Sequence, residues 1–315
     1  MTKQPKLSHH NISAARQVID PVFLQSPVLT CDTLGLSLFA KDETDNPIRS
    51  FKGRGTGYYL SENRDGEGPL VTASAGNFGQ GLAYNAVRRG RPLTVFASVN
   101  ANPLKIDAMR RLGAEVVLAG DDFDAAKAVA RQYADERGLS FVEDGASAAI
   151  AEGAGTMAAE LTEEVGALDA VFIPLGNGAL AAGVGCWFKA QSPKTRVIAV
   201  AATGAPCMAL SHRARKAIST PEGHTIADGI AVRIPVPAAV DWLQDTIDEV
   251  VLVDDDRIVE AMRFAHRTWG RMIEPAGAAG LAAILTQASS LEGRRVATML
   301  CGGNLTEQQI ALWLS

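Results

Sequence analysis

Along most of the chain, apolar runs of strand length alternate with segments in which apolar residues recur every three to four positions. LSLFAKD (36–42), PLVTAS (69–74), LTVFASV (93–99), AEVVLAG (114–120), AVFIPLG (170–176), RVIAVAA (196–202), EVVLVD (249–254) and VATMLCGG (296–303) predict buried strands. Helical spacing fills the intervals: 79–90, 103–113, 123–138, 155–166, 181–191, 256–272 and 278–288, with another helix predicted from TGYYLSEN (56–63). Near-continuous apolar strands alternating with helices are the pattern of an α/β fold, with mainly parallel sheets and helices on both faces. Gly90, Gly113, Gly138 and Gly166 stand where helices end, as a residue with positive φ prefers. There is no internal repeat and no Pro/Ser-rich linker, so a second domain would be inserted in the first.

Ligands of open parallel sheets collect where strands end and helices begin. Four such turns carry polar or glycine-rich residues. In Ser50-Phe51-Lys52-Gly53-Arg54-Gly55, Lys52 is either a solvated lysine at a helix start or an amine held in a pocket, where loss of water makes it a usable nucleophile. In Ser74-Ala75-Gly76-Asn77-Phe78, small residues precede a helix predicted to open at Gly79 or Gln80. Unpaired N–H groups there suit a carboxylate or phosphate, although a Ser-capped Asn–Gly turn has the same letters. Gly176-Asn177-Gly178-Ala179-Leu180 repeats the layout of a phosphate cradle, without the GK[ST] of a Walker loop or the full dinucleotide fingerprint. Cys301, at the end of the last strand, is either a small buried apolar residue or a thiol facing a ligand.

Composition narrows the partners. The 315 residues are 47% hydrophobic and 21% charged, with a net charge of −5 and both signs interspersed. No basic stripe argues for nucleic acid, and no apolar stretch is long enough for a membrane span. The N-terminus lacks the apolar core of a secretory signal. Cys31, Cys186, Cys207 and Cys301 are far apart, so reduced thiols and a cytoplasmic location are expected. The five histidines (His9, His10, His212, His224, His266) show no ligand spacing and are expected to be surface or internally satisfied residues.

Taken in order, SFKGRG, SAGNFGQG, GNGAL, EPAGAAG (274–280) and CGGN resemble the fold type II pyridoxal-phosphate enzymes, in particular the serine/threonine dehydratase and serine racemase branch. The likeness runs from about residue 25 to the C-terminus. It implies a two-domain, tryptophan synthase β-like architecture: residues 1–55 and 146–315 as a large cofactor-binding domain, 56–145 as a small mobile one. It implies pyridoxal 5′-phosphate as cofactor, an amino acid as small-molecule substrate, and a homodimer. By the same resemblance Lys52 carries the cofactor as a Schiff base and Phe51 packs on its face. Asn77 bonds the oxygen on the pyridine ring, Gly176 to Leu180 hold the phosphate, and Cys301 faces the ring nitrogen. Ser74, Ala75, Gly76, Asn77 and Phe78 surround the substrate carboxylate, and Glu274 lies beside the substrate. A thiol at the ring nitrogen leaves it neutral, which favours loss of a β leaving group over transamination. The implied reaction is therefore β-elimination of a β-hydroxy amino acid such as threonine or serine, giving a 2-keto acid and ammonia. A β-replacement or threonine-synthase-like transferase is the alternative on the same fold, followed by a non-catalytic carrier of the cofactor.

Three departures from the family pattern refine these expectations. Phe78 stands where the family often has histidine, which admits a larger β-substituent such as that of 3-phenylserine; 3-hydroxyaspartate is another candidate. Ala75 replaces the second serine of racemases, so racemisation is expected to be poor. Ala201 and Cys207 fall where relatives with a divalent-cation site carry carboxylates, so no metal is expected, although DGIAV (228–232) is retained. A C-terminal regulatory domain is not expected either.

Overall fold

The computed structural model describes residues 6–63 and 68–314; the parts of the expected domain spans at 1–5, 64–67 and 315 lie outside the described residues. Among the described residues the strands are β1 (Val28–Cys31), β2 (Ser37–Asp42), β3 (Leu70–Ala73), β4 (Leu93–Ala97), β5 (Glu115–Leu118), β6 (Ser140–Phe141), β7 (Ala170–Pro174), β8 (Arg196–Ala202), β9 (Glu249–Val253) and β10 (Arg295–Leu300). The helices are α1 (His9–Ala15), α2 (Lys52–Glu62), α3 (Asn77–Arg88), α4 (Pro103–Arg111), α5 (Phe123–Arg137), α6 (Ala148–Val165), α7 (Ala179–Gln191), α8 (Cys207–Ala214), α9 (Pro237–Thr246), α10 (Asp255–Trp269), α11 (Pro275–Thr286) and α12 (Glu307–Trp313).

Every expected strand is present. The two that periodicity did not reveal are β1, whose residues are only partly covered, and β6, which has two residues. The strands form a six-stranded sheet in the order β1-β2-β10-β7-β8-β9 and a four-stranded sheet in the order β5-β4-β3-β6. All pairings are parallel except β1 with β2. Chain order reverses around β3, flanked by β4 and β6, and around β7, flanked by β8 and β10. The turns that leave these two strands are Ser74–Gly76 and Leu175–Gly178, so both predicted anion cradles lie at topological switch points, where open sheets leave a crevice.

Two large apolar clusters fill the core, one on each face of the six-stranded sheet; the first continues onto the small sheet through Leu70, Leu82 and Val95. Helix α6 begins at Ala148, not at Gly155 as expected, and its glycines serve packing between helices. A Cβ on Gly153 would lie 2.7 Å from Gly55 Cα, and one on Gly183 of α7 would lie 1.8 Å from the Ala151 carbonyl oxygen. Glycine in a helix costs about 1 kcal/mol against alanine, and here close approach of α2, α6 and α7 offsets it.

The glycines around Lys52 have the same origin. A Cβ on Gly53 would meet the Phe23 ring at 2.3 Å, and one on Gly55 would meet the Ile150 carbonyl oxygen at 2.5 Å. Arg54 is fully buried and grips both Glu43 (2.9 Å) and Glu160 (2.7 Å), while Lys41 reaches Glu160 at 2.9 Å. Burial alone would raise the Glu160 carboxyl, but the hydrogen bonds and charge of Arg54, with Lys41, pull it down to about 2. This buried cluster, two residues from Lys52, fixes the first turn of α2 in the molecule.

Candidate active site

A cavity of roughly 690 Å³ opens between the two sheets, and all fourteen residues named in advance line it. Lys52, the first residue of α2, points its ammonium into the cavity, 4.7 Å from the centre of the Phe51 ring and 5.7 Å from that of Phe78. The two rings restrict water around the nitrogen. Its ion-pair partner is Asp144, whose Oδ2 lies 2.7 Å from Lys52 Nζ. Asp144 was not foreseen. It occupies another strand-to-helix turn, between β6 and α6, and β6 was too short to be recognised from its periodicity.

Helix α3 starts at Asn77, two or three residues earlier than expected. The Ser74 hydroxyl turned inward explains the difference: Oγ accepts from Gly79 N (2.9 Å) and Gly76 N (3.2 Å), so it caps the helix. The N–H groups of Asn77 and Phe78 have no intrahelical acceptor, and both residues line the cavity beside Ala75 and Gly76. Nothing lies within 4 Å of where a Gly76 Cβ would stand, which leaves room for a carboxylate to approach the backbone. The second cradle is α7. Gly178 caps it with φ 96°, and Gly176 passes so close to the loop at Gly229 that a Cβ would come within 2.8 Å of the Gly229 oxygen. The positive end of α7 faces the cavity through Ala179 and Leu180.

Asn77 and Glu274 meet across the cavity floor. Asn77 Nδ2 donates to Glu274 Oε1 at 2.6 Å, and Asn77 Oδ1 accepts from Asn304 Nδ2 at 2.8 Å. Asn304 also donates to the Ile48 carbonyl at 2.9 Å, so the orientation of the Asn77 amide is fixed by a residue of the CGGN segment to which no role had been given. Glu274 is buried, and its Oε2 has no hydrogen-bond partner. Burial pushes its carboxyl up to about 7; the Lys105 charge opposes that rise and the Asp228 charge adds to it. Cys301 is buried, with Sγ 3.9 Å from the Ala276 carbonyl. Burial, reinforced by Glu274 and opposed by Lys52, raises the thiol far above its ordinary range, so it stays neutral.

The mouth of the cavity carries charges that, apart from Asp228 of the DGIAV segment, no sequence signal marked. Lys105 on α4 pairs with Asp228, and Arg233 lies 2.5 Å from Asp124 on α5, so two ion pairs tie helices of the small sheet to the 228–233 loop. His224, paired with Glu222 at 2.9 Å, is exposed at the same rim. The Cys207 thiol donates to the Val232 carbonyl at 2.9 Å, and Ala201 is buried in β8. Among the described residues no group of three or more His, Cys, Asp or Glu side chains is placed to hold a metal ion. No helix there is long and apolar enough to cross a membrane.

An amine in a partly dehydrated cavity, two helix N-termini for two anions, and a neutral thiol as donor or acceptor match what pyridoxal phosphate and an amino acid require together. Comparison with known proteins agrees. The family model described as pyridoxal-phosphate dependent enzyme matches residues 19–302. The L-threonine ammonia-lyase of Geobacter sulfurreducens is 35% identical over 284 residues, 89% of this chain and 70% of that protein. A serine racemase of Oryza sativa is 31% identical, covering 94% of this chain and 90% of the relative. The solved structure of processed threonine deaminase isoform 2 from Solanum lycopersicum superposes with a TM-score of 0.89 at 28% identity, over 98% of this chain and 94% of that one. The chain spans little more than half the length of the biosynthetic threonine dehydratases it also matches, 53% of the one from Escherichia coli. With the family model spanning most of its length, the chain belongs to the pyridoxal-phosphate dependent enzymes of fold type II and takes that cofactor.

Proposed function

We propose that the protein is an ammonia-lyase that removes water from a β-hydroxy-L-amino acid, threonine or serine, and releases a 2-keto acid and ammonia. The observation that carries the reading is the placement of Lys52 Nζ in one cavity with the open first turn of α3 and the neutral Cys301 thiol. The name of the Geobacter relative, which the chain covers over 70% of its length, supports it.

Bound pyridoxal phosphate supplies a sink for the electron pair left at the substrate Cα when its proton departs. The chain does the rest. The N–H groups around Asn77 and Phe78 hold the substrate carboxylate and so set which Cα bond faces Lys52. The Lys52 amine takes the Cα proton. Gly176, Asn177, Gly178, Ala179 and Leu180 would hold the phosphate at the positive end of α7. Cys301, as a neutral thiol, would offer the ring nitrogen of a bound cofactor a weak hydrogen bond and no proton to keep, which would favour departure of the β-hydroxyl. Phe51 and Phe78 flank the reacting amine and exclude water from it. Ala75 brings no hydroxyl to the cavity where racemases of the family carry a second serine, so racemisation stays slow beside elimination.

The small sheet and its helices close over the substrate as a lobe, with Lys105–Asp228 and Arg233–Asp124 as the contacts that break when the cleft opens. Ammonia release with matching 2-keto acid is the test, measured on the cofactor-loaded protein with threonine, serine, 3-hydroxyaspartate and 3-phenylserine. Turnover of one of them that disappears in Lys52→Ala supports the reading and names the substrate. Absence of turnover with every one, while the cofactor is bound to Lys52, overturns it and favours a transferase.

A further inference from the structure

The partner of Lys52 is a carboxylate held in place from three sides. The segment between β6 and α6 turns sharply at Gly145, with φ 86°, where a Cβ would lie 2.7 Å from the Asn177 carbonyl oxygen of the phosphate turn. Glu143, just before it, is turned toward α5, where Lys127 at 3.3 Å and Arg131 anchor it. Asp144 therefore has little choice but to face inward. Its Oδ2 sits 2.7 Å from Lys52 Nζ and 3.4 Å from Asn177 Nδ2, and its Oδ1 is buried with no hydrogen-bond partner. A buried carboxylate oxygen left unpaired costs about 1–3 kcal/mol or more. Packing does not call for that expense at this turn, and nothing in the reaction as described so far uses it.

We propose that Asp144 is a catalytic residue: the proton partner of the Lys52 amine when that nitrogen bonds the cofactor. The proposal rests on the reading of Lys52 as the reacting amine. An ammonium has no lone pair, so Lys52 must lose a proton before it can attack a carbonyl. Asp144 Oδ2 takes that proton; an N–H bond breaks and an O–H bond forms. The freed amine adds to the aldehyde carbon, and one of its two remaining protons moves to the aldehyde oxygen. That oxygen leaves as water with the proton that Asp144 hands back. A nitrogen–carbon double bond carrying one proton remains, facing the restored carboxylate. Charge and atoms balance, and no further reactant is needed. Asn177 Nδ2 links the carboxylate to the turn that receives the phosphate, so arrival of the phosphate and release of the lysine proton occur at adjoining groups.

The test separates cofactor capture from turnover. Cofactor-stripped protein is mixed with pyridoxal phosphate in a stopped-flow instrument, and formation of the lysine bond is followed by absorbance. Borohydride reduction and peptide mass then locate the bond. Asp144→Asn should capture the cofactor on the order of a hundredfold more slowly, the usual worth of a positioned acid–base group. Asp144→Glu should recover part of the rate. In Asp144→Ala, sodium formate should restore capture in proportion to its concentration, an effect that a purely structural role would not produce. Capture by folded Asp144→Asn at the rate of the unaltered protein overturns the proposal. So does an Asp144→Ala rate that formate leaves unchanged, which decides the matter if Asp144→Asn does not fold. Absence of any adduct at Lys52 in the unaltered protein would overturn the reading of the lysine itself, an outcome distinct from both.

Discussion

Glu274→Gln isolates the one ionisation in the cavity that burial moves into the neutral range. The glutamate goes from an ordinary 4.5 to about 7 in the folded protein. At about 1.4 kcal/mol per tenfold change in proton affinity, that is worth about 3 kcal/mol. Below 4.5 both folded and unfolded chains keep the proton, so there is no difference between them. Between 4.5 and about 7 the unfolded chain gives up its proton while the folded one retains it. The folded state then binds more protons, so stability falls as pH rises. Above that window the whole cost is present. Glutamine carries no such titration, and the other ionisable groups are common to both proteins and cancel in the difference. Urea unfolding of the two cofactor-stripped proteins from about pH 4 to about pH 8 should show the unaltered protein losing about 3 kcal/mol relative to the variant, with a slope no steeper than about 1.4 kcal/mol per pH unit. A difference that stays flat across the range would refute the reasoning. It would mean that Glu274 is a standing anion, compensated by Lys105 or by water reaching Oε2, and not a carboxyl that holds its proton near neutrality.

Arg54→Met should cost about 3–5 kcal/mol, because Glu43 and Glu160 stay buried without their cation; a drop in the urea midpoint reads it. Glu160, held near 2, contributes stability that is present above 4.5 and is lost as pH falls toward 2, so acid unfolding of Glu160→Gln should lack that component. Gly178→Ala forces a side chain into φ 96° and toward Ala239 Cβ at 2.9 Å. It should lower thermal stability by about 1–3 kcal/mol and speed loss of the cofactor in dialysis, measured by absorbance. Cys301→Ser keeps a neutral donor at the ring nitrogen and should retain ammonia release, whereas Cys301→Asp should reduce it; equal rates for the two would overturn the role given to a neutral group.

Much of the fold was legible because its signals are local. Eight strands are visible as apolar runs, and their glycine-rich exits mark the two turns that leave β3 and β7 and line the cavity. The failures were local too. β6 has two residues, too few for a period, and with it went the turn that carries Asp144. The expected helix 155–166 missed the first two turns of α6, and a sequence does not say which backbone will press against Gly153 or Gly155. The start of α3 was misplaced because the first turn begins directly after Gly76, with the Ser74 hydroxyl accepting from Gly79 N, and that contact is made only in the folded turn.

Sequence alone determined the α/β class through its apolar runs, and, through the resemblance of five short motifs, the family, the cofactor and fourteen of the residues that line the cavity. The tertiary structure decided how those side chains are charged and paired. Lys52 and Asp144 are 92 residues apart in the chain, Asn77 and Glu274 are 197 apart, and no short window contains either pair. Whether a carboxyl keeps its proton, or a lysine has a partner to give one to, depends on burial and on charges brought close by folding, and those are properties of the assembled cavity.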